Sequence, residues 1–496
     1  MTRDNPAADR QIRGGRPWLA LTFVLAFVSS GRFVVPIAPW LQPVFALRFA
    51  RGRGALRGYA MLVAVLWVPN LFAWWGVQPF PPPAYYVSML VTVAVAALPV
   101  LADRLLAPRL GGLLGTLVFP LATTSLEFAL MSTNPLGSFG ASAYTQYPSL
   151  ALIQVVSLTG LWGLTFLISW PASIANLAWE RGTADPQVRR AVALCAGTLA
   201  LVLLYGGLRL ALPPPDGVTV RVAGVTAESV DMSELMPLLA SDRERFRERT
   251  RAAHARYLEQ TAREAEAGAR IVVWPELAGI GVQQDVLALI ERASELARER
   301  AIHLAVPIFV LYDDERAAAN ELLLIGPDGE IGVRHVKFGG NVFEGSVPGD
   351  GVVRSLASEH GGLAGVICWD TDFPTAVRRA EGEVDILLSP SHEWRAIDPM
   401  HAEMAVFRAI ENGVSLFRQA DLGRSIATDP LGRVLAATDH FTSPDRTLVA
   451  QLPVRGVSTL YSAAGDWFGW LALAGLAGLV ALGWRRRAPG QSSTAA

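Results

Sequence analysis

The sequence predicts an eight-span α-helical membrane protein that carries one α/β domain outside the cytoplasm. Three observations lead there. Seven long apolar runs precede residue 213 and an eighth lies near the chain end. Arginines cluster in every second connector between those runs. Residues 217–464, between the seventh and eighth runs, alternate strand-like and helix-like patterns.

Crossing a bilayer as a helix takes about 20 apolar residues. Runs 17–31, 33–49, 58–77, 84–102, 111–131, 150–179, 190–212 and 466–484 are the candidate spans. The first two are short and are joined by a tight turn around Arg32. Further spans follow the first run, so a cleavable signal peptide is not expected. Arg3, Arg10, Arg13 and Arg16 precede the first span, Arg48 stands at the end of the second, and Arg51, Arg53 and Arg57 follow it. Arg104 and Arg109 follow the fourth, Arg181, Arg189 and Arg190 the sixth, and Arg485, Arg486 and Arg487 the last. With eight spans these groups share one side, which the excess of basic residues marks as the cytoplasm. Connectors 79–83 and 132–149 carry no basic residue. The expected organisation is a seven-span domain at 1–212, an extracytoplasmic domain at 217–464, and a C-terminal helix and cytoplasmic tail at 465–496.

The prolines of Leu212-Pro-Pro-Pro-Asp216 break the seventh helix and open the polar domain. Strands are expected at 218–225, 269–274, 302–311, 363–368 and 384–389, and helices at 242–268, 284–300, 374–381 and 399–412. Ser241 or Asp242 can cap the first of these helices. Segments 321–325 and 331–336 flank Gly326-Pro-Asp-Gly329 and read as a hairpin. Short strands around the turn Asp429-Pro-Leu-Gly432 finish a layered α/β domain.

The net charge is −1, which gives no pointer to nucleic acid. The two cysteines, Cys195 and Cys368, form neither a CxxC pair nor a metal cluster. Nothing has metal-ligand spacing, His401 with Glu403 included, so neither metal nor cofactor is expected. Lys337 is the only lysine in the chain. A preference for arginine explains the missing lysines but not the one retained, because arginine cannot replace a compact, titratable ammonium.

Lys337 shares a setting with two other reactive groups. Glu276, Lys337 and Cys368 each follow an apolar strand, where α/β sheets display chemistry. A thiol is mostly protonated at neutral pH and needs a base. A carboxylate can take that proton and later return it to a leaving group. An ammonium can stabilise a tetrahedral oxyanion. Taken singly, Glu276 also fits a surface carboxylate and Cys368 a small core residue.

The stretches Val273-Trp-Pro-Glu276, Val336-Lys337 and Val366-Ile-Cys-Trp-Asp370 resemble the three signature motifs of the nitrilase, or carbon–nitrogen hydrolase, superfamily. Asn320, Gly326-Pro-Asp-Gly329, Glu344 with Pro348-Gly349, and Phe407-Arg-Ala-Ile-Glu411-Asn-Gly413 extend the match. Such a domain between seven spans and one resembles the apolipoprotein N-acyltransferases. Glu127, Tyr144-Thr-Gln146-Tyr147 and Gln154-Val-Val-Ser-Leu-Thr-Gly160-Leu-Trp-Gly163-Leu-Thr-Phe166 are similar to that family's membrane half.

The resemblance implies a nitrilase-like α-β-β-α sandwich in a bacterial inner-membrane protein, with its catalytic domain on the periplasmic side. It implies Glu276 as base and then acid, Lys337 as oxyanion stabiliser, and Cys368 as the carrier of a thioester. The acyl donor would be a membrane phospholipid, and the acceptor the N-terminal amine of a diacylglyceryl-modified lipoprotein. Glu344 is the expected supporting glutamate, although the family's Pro-Phe-Gly before it is absent here. Trp369 and Asp370 stand where the family often has tyrosine and glutamate. The tryptophan expected after the first strand is not found at 226–239.

His392 and Trp394 follow the next strand and either line the pocket or belong to an ordinary loop. Glu127 lies within a span, where a carboxylate is either functional or paired. Cys195 reads as a packing residue, and His254 and His303 as surface or packing residues. A membrane-tethered amidase and a non-catalytic membrane scaffold are the alternative functions.

Overall fold

The structure is a computed structural model that describes residues 15–78, 80–211, 217–227, 229, 231–443 and 446–486. Arg3, Arg10, Arg13, Arg487 and the proline-rich break at 212–216 lie outside the described residues. The described chain forms two compact units, one from 15–131, 140–208 and 466–486, the other from 132–139 and 209–465.

In the first unit, six helices are long and apolar enough to cross a membrane. They are Ala55–Ala73, Pro82–Leu110, Gly112–Met131, Leu161–Arg181, Pro186–Ala211 and Trp467–Arg485. The first two expected spans form shorter helices, Gly15–Ala26 and Ala38–Arg51, of 12 and 14 residues. The run at 150–179 is not one helix. Its first part makes two single turns, Leu150–Ile153 and Val156–Thr159, before the long helix begins at Leu161. Gly160 divides them at φ +62, a conformation open to glycine that interrupts a helix. Glu127 is paired: its carboxylate accepts from the Ser142 hydroxyl and from Thr165 Oγ1 at 3.0 Å.

The second unit contains fifteen named strands among the described residues. They are β1 (Thr219–Gly224), β2 (Ile271–Val273), β3 (Gly279–Val282), β4 (His303–Leu311), β5 (Ala319–Ile325), β6 (Ile331–Val336), β7 (Ser355–Ser358), β8 (Gly361–Gly365), β9 (Ile386–Leu388), β10 (Ser391–His392), β11 (Ser415–Arg418), β12 (Ala420–Asp421), β13 (Arg424–Thr428), β14 (Val434–Asp439) and β15 (Leu448–Pro453). One sheet runs β15-β1-β2-β4-β5-β6, with β3 also on β4. The other runs β14-β13-β11-β9-β8-β7, and β10 pairs with β12 apart from both. Each large sheet has parallel central strands and antiparallel edges.

The apolar faces of the two sheets meet. Val222, Val273, Leu322 and Leu324 of the first pack with Ile386, Leu388, Phe417 and Ala427 of the second. Helices Arg243–Glu266 and Gln283–Arg300 cover the outside of the first sheet through Tyr257, Leu258, Val286 and Leu289. Helix Met400–Asn412 packs on β11 and β13 of the second. The layers are therefore α-β-β-α. Removing such apolar faces from water is the main force that holds the layers together.

Boundaries differ from expectation mainly by shortening. Asp242 does cap its helix, accepting from Arg245 N at 3.2 Å. Helix Met232–Ser241, capped by Asp231, lies outside the predicted elements. Pro237 within it interrupts the pattern by which a helix is read. His254 and His303 are both buried, which makes them packing residues.

Candidate active site

The structure brings Glu276 and Lys337, which follow strands of the first sheet, together with Cys368, which follows a strand of the second. Lys337 directly follows β6, and Glu276 lies three residues beyond β2. Cys368 lies three residues beyond β8, at the start of a 3-10 turn, Cys368–Asp372. Its φ is +46, a costly conformation for a residue with a Cβ. Such strain is sustained only where surrounding structure fixes it. Here the Cys368 N–H donates to Pro390 O at 2.8 Å.

Lys337 Nζ lies 2.7 Å from Glu276 Oε1 and 3.0 Å from Glu344 Oε1. Asn320 Nδ2 donates to Glu276 Oε1 at 2.8 Å and to Glu344 Oε2 at 3.2 Å. Ser346 Oγ holds Glu344 Oε1 at 3.1 Å. The peptide of His392 links the carboxylate to the thiol. Its N–H donates to Glu276 Oε2 at 3.0 Å, and its carbonyl lies 3.7 Å from Cys368 Sγ.

Asp370 ties the lysine segment to the cysteine turn. Its Oδ1 accepts from Phe338 N at 3.0 Å and Gly339 N at 2.7 Å. Its Oδ2 accepts from Ile367 N at 2.9 Å and lies 2.8 Å from His335 Nε2. This close docking needs glycine at 339, where an added Cβ would stand 2.9 Å from the Trp369 carbonyl oxygen. The Phe338-Gly-Gly-Asn sequence that departs from the family motif thus has a packing reason.

Aromatic rings surround Trp369. Phe139 lies 4.9 Å from its ring, Phe343 5.4 Å, and Trp394 is stacked at 6.3 Å. Phe139 comes from the 132–139 segment, whose Ser138 donates twice to Asp372 O, at 2.7 Å from N and 2.8 Å from Oγ. The His392 ring faces Asp421 at 3.5 Å.

A second charged group lies beside Cys368, and no sequence motif marks it. His401 Nε2 is 2.7 Å from Asp372 Oδ2, and Nδ1 is 3.1 Å from Glu393 Oε1. Arg418 donates to Glu393 and lies 3.1 Å from His401 Nδ1. One donor atom each from Cys368, Glu393 and His401 lie within 4.8 Å of one another, close enough for a metal-ligand set. The Arg418 guanidinium already places a fixed cation there. These residues come from four separate stretches of chain, so no local spacing announces them.

Burial and charge set the protonation states. Burial alone would raise Glu276, but Lys337 and Asn320 outweigh it and hold it below the usual carboxylate range. Burial would lower Lys337, yet Glu276 and Glu344 keep it firmly protonated. Burial pushes Glu344 up, against the pull of Lys337. Cys368 is raised by burial and then by Glu276 and Glu393, with His401 acting the other way. The site therefore pairs an ionised carboxylate with a protonated thiol, which suits proton transfer from sulfur to Glu276.

Residues 226–460 match the carbon–nitrogen hydrolase family. The chain is 27% identical over 480 residues to a protein from Geobacter metallireducens named Apolipoprotein N-acyltransferase, covering 90% of this chain and 88% of that one. It is 26% identical over 506 residues to a protein of the same name from Gloeobacter violaceus, covering 94% and 89%. An amidase structure from Nesterenkonia sp. is 23% identical, with TM-score 0.37, over 48% of this chain and 92% of that one.

Proposed function

We infer that this chain, which belongs to the apolipoprotein N-acyltransferase family and carries its carbon–nitrogen hydrolase domain at residues 226–460, transfers a fatty acyl group by way of Cys368. The acyl donor is a membrane phospholipid. The acceptor is the N-terminal amine of a diacylglyceryl-modified lipoprotein. The observation that carries the reading is the contact set in which Lys337 meets Glu276 and Glu344 while His392 joins Glu276 to Cys368.

Glu276 takes the proton of the Cys368 thiol, and the sulfur attacks the ester carbonyl carbon. An ammonium has three donors. Two of those on Lys337 meet carboxylates, and the third serves the oxyanion. Collapse breaks the carbon–oxygen ester bond, and Glu276 returns the proton to the departing lysophospholipid oxygen. The acceptor amine then attacks the thioester carbonyl and gives its proton to Glu276. Collapse frees the sulfur, which recovers that proton. The rings of Phe139, Phe343, Trp369 and Trp394 offer the acyl chain an apolar wall, and Asp370 keeps the two reactive segments in register.

In this reading helices Gly15–Ala26 and Ala38–Arg51 are further crossings, which brings the count to eight. The arginine-bearing connectors face the cytoplasm and the catalytic domain is extracytoplasmic, on the periplasmic side of the inner membrane. Anchoring enzyme, donor and acceptor in one membrane raises their effective concentrations.

The test is to incubate detergent-solubilised protein with phospholipid and a diacylglyceryl lipopeptide. A triacylated lipopeptide, absent with Cys368→Ala, supports transfer. Hydrolysis of small amides without lipopeptide acylation would replace this reading with the amidase one.

A further inference from the structure

We propose that His401, clamped between Asp372 and Glu393, is a positioning residue that supplies positive charge to Cys368 Sγ and so favours the thiolate. The proposal rests on the reading of Cys368 as the nucleophile.

The geometry carries it. Each ring nitrogen of His401 faces a different carboxylate, Asp372 at 2.7 Å and Glu393 at 3.1 Å, and Nδ1 also lies 3.1 Å from the Arg418 guanidinium, which opposes its charge less than the two carboxylates favour it. A neutral imidazole can donate to only one of them, whereas an imidazolium donates to both. Asp372, Glu393, His401 and Cys368 are all at most 3% exposed, so water screens their charges poorly. The ring also lies against Trp369, with centroids 5.4 Å apart, and edge-on to Phe139 at 5.9 Å.

The charges around Cys368 give this cation a purpose. Glu276, Glu344, Glu393 and Asp372 face the site together with the cations Lys337 and Arg418, and the His392 ring, paired with Asp421 at 3.5 Å, lies beside Glu276 and Glu393. Lys337 is engaged by Glu276 and Glu344, and Arg418 by Glu393. Asp370 and His335 form a separate pair 2.8 Å apart. With His401 neutral, moving the Cys368 proton to Glu276 would put negative charge on a buried sulfur whose neighbouring cations, Lys337 and Arg418, are already engaged by carboxylates. The pairing of His401 with Asp372 and Glu393 keeps it charged well above the ordinary histidine range, despite its burial. No proton passes through His401: the Cys368 proton goes to Glu276, and the imidazolium keeps both of its own.

The test is the pH dependence of Cys368 alkylation by iodoacetamide, followed by intact mass in a Cys195→Ala background that leaves one thiol. This readout needs no acyl transfer. His401→Gln is expected to move the alkylation midpoint up by about one pH unit, roughly a tenfold loss of thiolate at neutral pH. Asp372→Asn leaves the ring but removes one clamp, and is expected to move the midpoint the same way by less. If His401→Gln does not fold, Asp372→Asn decides alone. An unchanged midpoint in the folded variants overturns the proposal. A shifted midpoint in a protein that never forms an acyl adduct would uphold His401 and refute the acyl-transfer reading.

Discussion

Lys337 Nζ lies 2.7 Å from Glu276 Oε1, with both side chains almost fully withdrawn from water. The only lysine of the chain is thus held by the carboxylate that serves as base in the proposed reaction. Glu344 grips the same ammonium at 3.0 Å, so its position is fixed from two sides.

Lys337→Arg keeps the charge but puts a planar guanidinium into a space sized for an ammonium. Acyl-enzyme formation is expected to fall by about 10²-fold or more, the scale of losing an oxyanion donor. Single-turnover acylation with a phospholipid measures it. A variant within a few-fold of the parent removes Lys337 from the mechanism.

The pH profile follows from the two reacting groups. Glu276 is held below the usual carboxylate range and Cys368 above the usual thiol range. As pH falls, the base is lost only when Glu276 protonates, so the acylation rate should stay level through neutrality and drop only below the ordinary carboxylate range. Glu276→Gln should lower the plateau by about 10²–10⁴-fold, the span of general acid–base assistance. An acid limb centred near pH 6 in the parent contradicts the assignment of Glu276 as base.

Asp370→Asn replaces one of two oxygens that accept backbone N–H groups with an NH2 group that cannot accept. Whichever way the amide turns, at least one backbone N–H loses its acceptor. Each buried group left unpaired costs about 1–3 kcal/mol. A lower melting temperature and slower acylation are expected together. Melting and acylation unchanged from the parent would show that Asp370 does not hold the two segments.

Gly339→Ala puts a Cβ 2.8 Å from the Phe373 ring and 2.9 Å from the Trp369 carbonyl oxygen. The lysine segment must then retreat from the cysteine turn. Slower acylation is expected, with little change in the far-ultraviolet circular dichroism. Normal acylation would mean that the docking is not needed for catalysis.

The meeting of Glu276, Lys337 and Cys368 was legible because their chemistry is rare and their placement regular. A sole lysine, a carboxylate after Trp-Pro and a cysteine after an apolar strand each stand out locally, and most strands and helices of the layered domain lie where the alternation places them. Glu344, Asp370 and Trp369 were legible only through resemblance, since nothing in their local pattern marks them. Asp372, Glu393, His401 and Arg418 could not be read at all, because they meet only in the folded domain. The run at 150–179 hid its break for a related reason: Gly160 changes backbone direction without changing hydropathy. Helix Met232–Ser241 was concealed by Pro237, which ordinarily argues against a helix.

The central claim, a thioester on Cys368 formed from a lipid donor, is tested most directly by intact-mass spectrometry of the purified protein after exposure to phospholipid. A fatty-acyl mass increment that is labile to hydroxylamine, discharged by a diacylated lipopeptide and absent from Cys368→Ala is the predicted result. A parent protein that stays unmodified with every phospholipid tried, or an adduct that persists in Cys368→Ala, would contradict it.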